Sequence, residues 1–310
     1  MSVRTPKAAA IFRVQDRIMR AASGQLAEEG FTQVRPPILS SATDPGLRGA
    51  ARAKVDFYGK PYYVTSSMIM HKQMLLPSLG KLYAFSPCVR LEPPHTKETG
   101  RHLAEFAQID LEWADASMDD AMGLAERVLA KVATDVRRHC TKELETIGVK
   151  PRGLKTPFAR LTHKQAVDTL RGLGFDADYG EEIPWDGERL LSLQFDQPFW
   201  ITHYPDASRG FYDKLGEASL LDFDLIYPGG YGEAISGGER EHTPEGVKQQ
   251  MRKTGIDPLE YGWYFELLEA GIPPSAGFGI GLERLTRWIC ELDHVHKAGP
   301  FTKVAGVHSA

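Results

Sequence analysis

Cysteine is scarce in this sequence, with Cys88, Cys140 and Cys290 as its three thiols among 310 residues. The three lie far apart and form none of the close pair spacings that mark zinc sites or redox motifs. We therefore expect isolated thiols in a reducing compartment, where disulfide bonds are rare.

Long apolar runs are also missing. No stretch of 18 apolar residues is available to span a bilayer, and Met1 to Ala10 lacks the apolar run of a signal peptide. The sequence thus predicts a protein with no membrane partner and a cytoplasmic location.

A basic excess is the third feature that the chain lacks. Lysine and arginine number 37 against 41 aspartate and glutamate residues, so the formal net charge is -4. Proteins that bind nucleic acids through many phosphates usually carry a basic excess or a basic stripe. The balance makes a tRNA partner unlikely without excluding one.

The hydrophobic pattern indicates helices around a set of strands. Apolar residues recur at helical spacing from Ala8 to Glu28, with Gly30 following as a helix-ending glycine. The segments KLYAFSPCVRLE and HLAEFAQIDLEWA predict an antiparallel hairpin, and QPFWITHYP, LLDFDLIYP and EAISG predict further strands. Strands in series with helices around them favour an α+β fold with a mainly antiparallel sheet.

We find no internal repeat and no low-complexity tract, so residues 1–310 are interpreted as a single domain. Residues 151–188 differ from the rest, because they carry several glycines and prolines, short elements and little periodicity. We predict that this stretch is a peripheral insertion.

The segment CVRLE places Arg90 and Glu92 two apart on a predicted strand, hence on one face. A guanidinium there could meet an anion while the carboxylate accepts from an amino group. A solvated ion pair is the alternative interpretation. The continuation RHLAEF favours the first, since it adds Arg101, His102 and the aromatic Phe106 on the returning strand.

The segment GFGIGLERL carries Gly277, Gly279 and Gly281 along one side of a predicted strand, with Arg284 opening the next helix. Three glycines leave backbone room for a flat ligand. The spacing G-x-G-x-G near the C-terminal end, with no βαβ unit after it, argues against a dinucleotide-binding fingerprint.

The segment FDLIYPGGYGEAISGGERE places Asp224 and Glu233 on neighbouring strands, with Arg240 just beyond a glycine pair. Two carboxylates that converge on one sheet face are costly unless a cation joins them. Magnesium bridging phosphates satisfies this requirement.

In chain order these segments resemble motifs 2 and 3 of the class II aminoacyl-tRNA synthetases, in the aspartate and asparagine branch. The helix that ends at Gly30 and the strand FTQVRPPIL, with Pro37, resemble motif 1. The similarity runs from about Arg13 to Lys303. It implies a class II synthetase-like antiparallel sheet flanked by helices, and a homodimer formed through motif 1.

The resemblance also implies ATP and Mg²⁺ as cofactors. Arg90 would bind the α-phosphate, Glu92 the adenine amino group, and Phe106 and Arg284 the two faces of the adenine. The γ-phosphate would be held by Arg284 with Arg101 or His102. Asp224 and Glu233 would bind magnesium, and the catalytic set would be Arg90, Arg284 and Glu233. Such a site works by positioning and charge neutralisation.

On the amino-acid side, the family places a serine and a lysine at Ser67 and Lys72, an arginine at Arg240, and the acid that takes the substrate ammonium at Asp110. A lysine and an arginine in one pocket fit a dicarboxylic amino acid, because an unpaired buried cation would be costly. We therefore predict aspartate as the substrate.

Other segments depart from the synthetases. Only about a dozen residues precede motif 1, so we expect no anticodon-binding domain. The segments TDPGLRGA, SMIMHKQ and SGGERE are similar to the archaeal-type asparagine synthetase related to aspartyl-tRNA synthetase. That group implies AMP-forming activation of aspartate as aspartyl-adenylate, followed by amide formation with ammonia or another small amine.

Two alternatives stay open. One is a truncated aspartyl- or asparaginyl-tRNA synthetase paralogue that transfers the amino acid to tRNA or protein. The other is a catalytically silent paralogue that acts as a binding subunit. The sequence leaves open the nucleophile and the carboxylate that is activated.

Overall fold

Two sheets and nine α-helices make up the part of the chain that the computed structural model describes, namely residues 3–45, 49–206 and 208–307. Residues 46–48 of the TDPGLRGA segment lie outside it. The helices are α1 (Pro6–Glu28), α2 (Ile69–Leu79), α3 (Met118–His139), α4 (Thr141–Ile147), α5 (His163–Gly172), α6 (Trp185–Ser192), α7 (Pro244–Thr254), α8 (Gly262–Ala270) and α9 (Leu282–Ile289).

Eleven strands fall within the same described ranges. They are β1 (Thr32–Gln33), β2 (Leu39–Ser40), β3 (Lys54–Phe57), β4 (Lys60–Val64), β5 (Lys81–Val89), β6 (Glu105–Ala114), β7 (Ala159–Thr162), β8 (Phe199–Thr202), β9 (Asp222–Tyr227), β10 (Gly232–Glu239) and β11 (Ser275–Gly281).

The larger sheet has eight strands in the order β1-β5-β6-β11-β10-β9-β8-β7. Its two outermost pairs, β1 with β5 and β7 with β8, are parallel, and the pairs between them are antiparallel. A small antiparallel sheet follows the order β2-β4-β3. The predicted α+β fold with a mainly antiparallel sheet flanked by helices is confirmed.

Helix ends follow the local sequence. Thr5 caps α1 by accepting the N–H of Ala8 at 3.1 Å, and Gly30 adopts a φ of 84° just past its end, where glycine is favoured. Ser117 caps α3 in a capping box with Asp120. A break at Cys140 separates α3 from the short helix α4.

Strand alternation gives the large sheet two different faces. On β6, Ile109 and Leu111 enter the core formed with α1, α3 and α9, while Gln108 and Asp110 point to the opposite face. On β11, Phe278 and the residues two positions away on either side enter the same core, so the glycines face the other way. The face away from α1 and α3 is the one that carries the polar residues.

Residues 151–188 are joined to the main sheet more closely than a peripheral insertion would be. They supply β7, the outermost strand, and α5, whose N-terminus is capped by the Thr162 side chain. They also supply Trp185 to the cavity described below, and Glu188 to its ion pairs.

Among the described residues, no helix combines the length and the apolar character needed to cross a membrane.

Candidate active site

A cavity of about 760 Å³ opens on the polar face of the large sheet. It brings together residues from four separate sequence segments, as the motifs predicted. The predicted site residues that line it are Ser67, Lys72, Arg90, Glu92, Arg101, His102, Phe106, Asp110, Glu233, Arg240 and Arg284. Asp224 is the predicted site residue that does not line it.

The glycines of β11 have two different structural roles. Gly279 and Gly281 line the cavity, as expected for backbone that leaves room for a ligand. Gly277 does not. A Cβ at Gly277 would overlap the Glu112 carboxylate and the Leu111 carbonyl, so this glycine makes room for a buried side chain of the protein itself.

At one end of the cavity, Arg90 and Glu92 lie just past β5, which ends at Val89. They were expected on the strand. Arg90 donates from Nε to the Ser66 carbonyl at 3.3 Å, and its guanidinium lies 5.2 Å from the centre of the Phe106 ring. These contacts hold a cation and an aromatic face together on the cavity wall. An adenine on Phe106 stays a prediction.

The neighbouring wall carries an ion-pair cluster around Glu233. Its carboxylate lies 3.0 Å from Nη1 of Arg284 and 3.6 Å from Nη2 of Arg101. Arg101 also pairs with Glu188 of α6, and the same Glu188 carboxylate accepts the Glu233 backbone N–H at 3.2 Å. Glu188 therefore positions both an arginine and an acid of the predicted phosphate site.

The predicted metal pair is only half formed on the cavity wall. Asp224 is 1% exposed and receives both Nη atoms of Arg209, at 3.2 and 2.6 Å. Within the described residues, no group of three His, Cys, Asp or Glu could by itself hold a metal ion. Mg²⁺ usually binds one or two carboxylates and completes its shell with phosphates and water. Glu233 on the cavity wall fits that requirement.

At the other end of the cavity lies a buried lysine. Lys72 donates to Asp110 at 2.5 Å and to the Leu111 carbonyl at 2.9 Å, and lies 3.2 Å from Glu112. The second oxygen of Asp110, Oδ2, is buried and has no hydrogen-bond partner among the described residues. A buried carboxylate oxygen without a donor is costly, which indicates that a ligand supplies one.

Arg240 closes the same end. It donates from Nε to Glu112 at 3.0 Å and from Nη1 to Asp213 at 3.0 Å. Burial raises the pKa of Glu112, but Arg240 and Lys72 outweigh burial and hold it below its usual value. Burial raises the pKa of Asp213 to about 7, with Arg240 acting in the opposite direction.

The pairing corrects the argument from which aspartate was predicted. That argument assumed that Lys72 and Arg240 would be unpaired until a second substrate carboxylate arrived. In the structure Asp110 and Glu112 pair with the lysine, and Glu112 and Asp213 with the arginine. The pocket therefore has no surplus positive charge for a dicarboxylic side chain to neutralise.

Glu112, Glu188 and Asp213 are among the charged residues at the site that were not predicted from the sequence. The sequence could have identified Glu112, because it follows Asp110 by two positions on one strand and therefore shares its face. No sequence pattern indicates Glu188 or Asp213, since each reaches the site through a tertiary contact that motif spacing does not encode.

Comparison with known proteins gives one family. Residues 1–305 match the tRNA synthetases class II (D, K and N). An asparagine–tRNA ligase of Pyrococcus furiosus is 33% identical over 309 residues, which cover 98% of this chain and 70% of the relative. An asparagine–tRNA ligase of Lactobacillus delbrueckii subsp. bulgaricus is also 33% identical, over 97% of this chain and 70% of the relative.

A solved structure is similar over the same length. The asparaginyl-tRNA synthetase from Pyrococcus horikoshii, complexed with asparaginyl-adenylate, superposes with a TM-score of 0.91 at 31% identity. The match covers 98% of this chain and 70% of that one.

Proposed function

Because the chain belongs to the class II tRNA synthetases of the D, K and N group, we propose that it activates asparagine with ATP and transfers it to tRNA. Membership confirms the resemblance noted in the sequence and makes the protein an ATP-dependent ligase. It also confirms the predicted cofactors, ATP and Mg²⁺, which this family uses.

Two predictions were wrong. Formation of an amide from aspartate and ammonia is overturned by relatives named asparagine–tRNA ligase, at 33% identity over nearly the whole chain. The expectation that tRNA is an unlikely partner fails for the same reason. Net charge was a poor guide because it averages over the whole surface, whereas a nucleic acid contacts one part of it.

The observation that carries the proposal is the charge balance at the Lys72 and Arg240 end of the cavity. Both cations already have carboxylate partners, so a neutral side chain such as that of asparagine fits there. The unpartnered Asp110 Oδ2 supplies an acceptor for the substrate ammonium. The remaining wall, with Arg90 and Arg284, supplies cations for a triphosphate.

In the first step an oxygen of the asparagine α-carboxylate attacks the α-phosphorus of ATP. The bond to the bridging oxygen breaks and pyrophosphate leaves. Arg90 would neutralise the charge that develops on the α-phosphate, and Arg284 with Arg101 would hold the distal phosphates. Mg²⁺, held by Glu233 and phosphate oxygens, would supply further charge neutralisation when bound.

In the second step a terminal ribose hydroxyl of tRNA attacks the carbonyl carbon of the adenylate. The carbonyl–phosphate bond breaks, AMP leaves, and the hydroxyl proton passes to solvent or to the leaving phosphate. Positioning of the two reactants supplies most of the acceleration in such a reaction.

We expect the purified protein, given ATP, Mg²⁺, labelled asparagine and tRNA, to produce acid-precipitable label together with AMP. tRNA oxidised with periodate is the matched control, because its terminal ribose has lost the hydroxyls that accept the amino acid. If asparagine supports ATP–pyrophosphate exchange but no label is transferred to tRNA, the transfer step would be contradicted. Absence of exchange with asparagine would contradict activation as well.

Dimerisation through motif 1 is also part of the proposal. Ile38, next to Pro37 in that motif, is 67% exposed although it is large and apolar. We expect light scattering at micromolar concentration to give twice 34.5 kDa. Ile38→Asp should shift the mass toward the monomer, whereas Leu259→Asp, at an 88% exposed position elsewhere, should not. A monomeric wild-type protein would contradict the proposal.

The interpretation of residues 1–310 as a single domain and the cytoplasmic location stay predictions.

A further inference from the structure

The Arg240 guanidinium has one donor to spare. Of its five N–H groups, four donate to Glu112, Gly277 and Asp213: Nε and one Nη2 hydrogen to Glu112, the other Nη2 hydrogen to the Gly277 carbonyl, and one Nη1 hydrogen to Asp213. The second Nη1 hydrogen has no acceptor among the described residues. Arg240 lines the cavity, so a ligand can supply that acceptor.

Asp213 has an acceptor to spare beside that donor. Its Oδ1 receives the Arg240 hydrogen bond, and no donor within the described part of the chain is bonded to Oδ2. The backbone fixes the position, because Asp213 forms an isolated antiparallel bridge with Arg240 and donates its N–H to the Gly210 carbonyl at 3.1 Å. Asp213 also lines the cavity.

A free N–H next to a free carboxylate oxygen matches a primary carboxamide. The amide oxygen can accept from Nη1 of Arg240 while the amide nitrogen donates to Oδ2 of Asp213. We propose that Asp213, acting with Arg240, recognises the side-chain carboxamide of the amino acid and discriminates against the carboxylate. This inference rests on the proposed function, and it names the residue that sets the choice between asparagine and aspartate.

Aspartate meets a repulsive contact in the same place. One of its side-chain oxygens can accept from Arg240, but the other then faces the Asp213 carboxylate with no hydrogen between them. Repulsion between these two adjacent negative charges disfavours the complex with aspartate. A binding site can reject a near-isosteric ligand in this way.

The protonation state of Asp213 changes this contact. Burial raises the pKa of Asp213 to about 7. Below that pH the protonated acid can donate to a carboxylate oxygen, so the preference for asparagine should increase as the pH rises through 7. The other charged and titratable groups that act on Asp213 are Arg240, Asp222, Arg209, Asp44 and Tyr212.

The test is Asp213→Asn, assayed by ATP–pyrophosphate exchange with asparagine and with aspartate, above pH 7 and without tRNA. The new side chain keeps an oxygen for Arg240 and turns its NH₂ to the substrate, where it opposes a carboxamide and donates to a carboxylate. We expect the ratio of kcat/KM for asparagine to that for aspartate to fall by at least about tenfold, with the aspartate value rising.

Asp222→Asn is the matched control, because Asp222 is similarly buried but lies outside the cavity. Well above pH 7, where Asp213 is already ionised, this variant should lower both exchange rates together and leave their ratio unchanged. A wild-type protein that prefers asparagine, with the same ratio in Asp213→Asn, would overturn this inference and leave the proposed function standing. Exchange with neither amino acid would overturn both.

Discussion

Replacing Arg284 by alanine is expected to lower asparagine-dependent ATP–pyrophosphate exchange by about a hundredfold or more. Arg284 lies in the first turn of α9 at the cavity wall, and its Nη1 contacts the Glu233 carboxylate at 3.0 Å. Loss of one preorganised donor to developing charge typically costs about 3 kcal/mol in the transition state. Initial rates at saturating asparagine and varied ATP give both kcat and KM.

Arg287→Ala is the control for this prediction. Arg287 lies one turn further along the same helix, where it bonds to the carbonyls of Leu292 and Asp293 and lies over the Tyr231 ring. It is not among the described residues that line the cavity. Its replacement should change exchange by less than about threefold. Equal losses in the two variants would mean that α9 has been disturbed as a whole and would remove the role given to Arg284.

Local sequence patterns predicted the features of the fold that depend on residues close together in the sequence. Period-two spacing placed Gly277, Gly279 and Gly281 along one side of a strand, which the structure forms as β11, and Gly30 follows the end of α1 as expected. Patterns could not show that Gly277 accommodates Glu112, because that contact depends on the register between β11 and β6. The two-residue offset along each strand could be read from the sequence, but the pairing between strands could not.

The sequence predicted many of the residues that line the candidate site, but it did not predict the ion pairs that neutralise their charges. Eleven of the predicted residues line one cavity, yet Asp224 is held by Arg209, a residue from a loop with no recognisable motif. The same limit produced the aspartate prediction. Sequence alone identified Lys72 and Arg240 as cations, whereas one of the acids that neutralise Arg240 is Asp213, which is 27 residues from it along the chain. Counting charges by motif therefore overstated the positive potential of the pocket.

Replacing Glu112 by alanine should strongly destabilise the folded protein. The Glu112 carboxylate is fully buried, lies 3.2 Å from Lys72 Nζ, and receives Arg240 at 3.0 Å and the Ser275 hydroxyl at 2.9 Å. Removing one partner of a buried pair leaves the opposite charge without compensation, at a cost of about 3–5 kcal/mol. Urea denaturation followed by circular dichroism measures this loss as a lower midpoint.

Glu112→Gln separates charge from packing in that prediction, since it keeps the side-chain volume and removes the charge. If uncompensated cations dominate, the glutamine variant should lose most of what the alanine variant loses. Glu105→Ala, an exposed acid on the same strand, should stay within about 0.5 kcal/mol of wild type. A glutamine variant as stable as the wild type would mean that Lys72 and Arg240 are sufficiently compensated by Asp110 and Asp213. The pocket would then tolerate an additional negative charge poorly, because two acids would already neutralise two cations without Glu112.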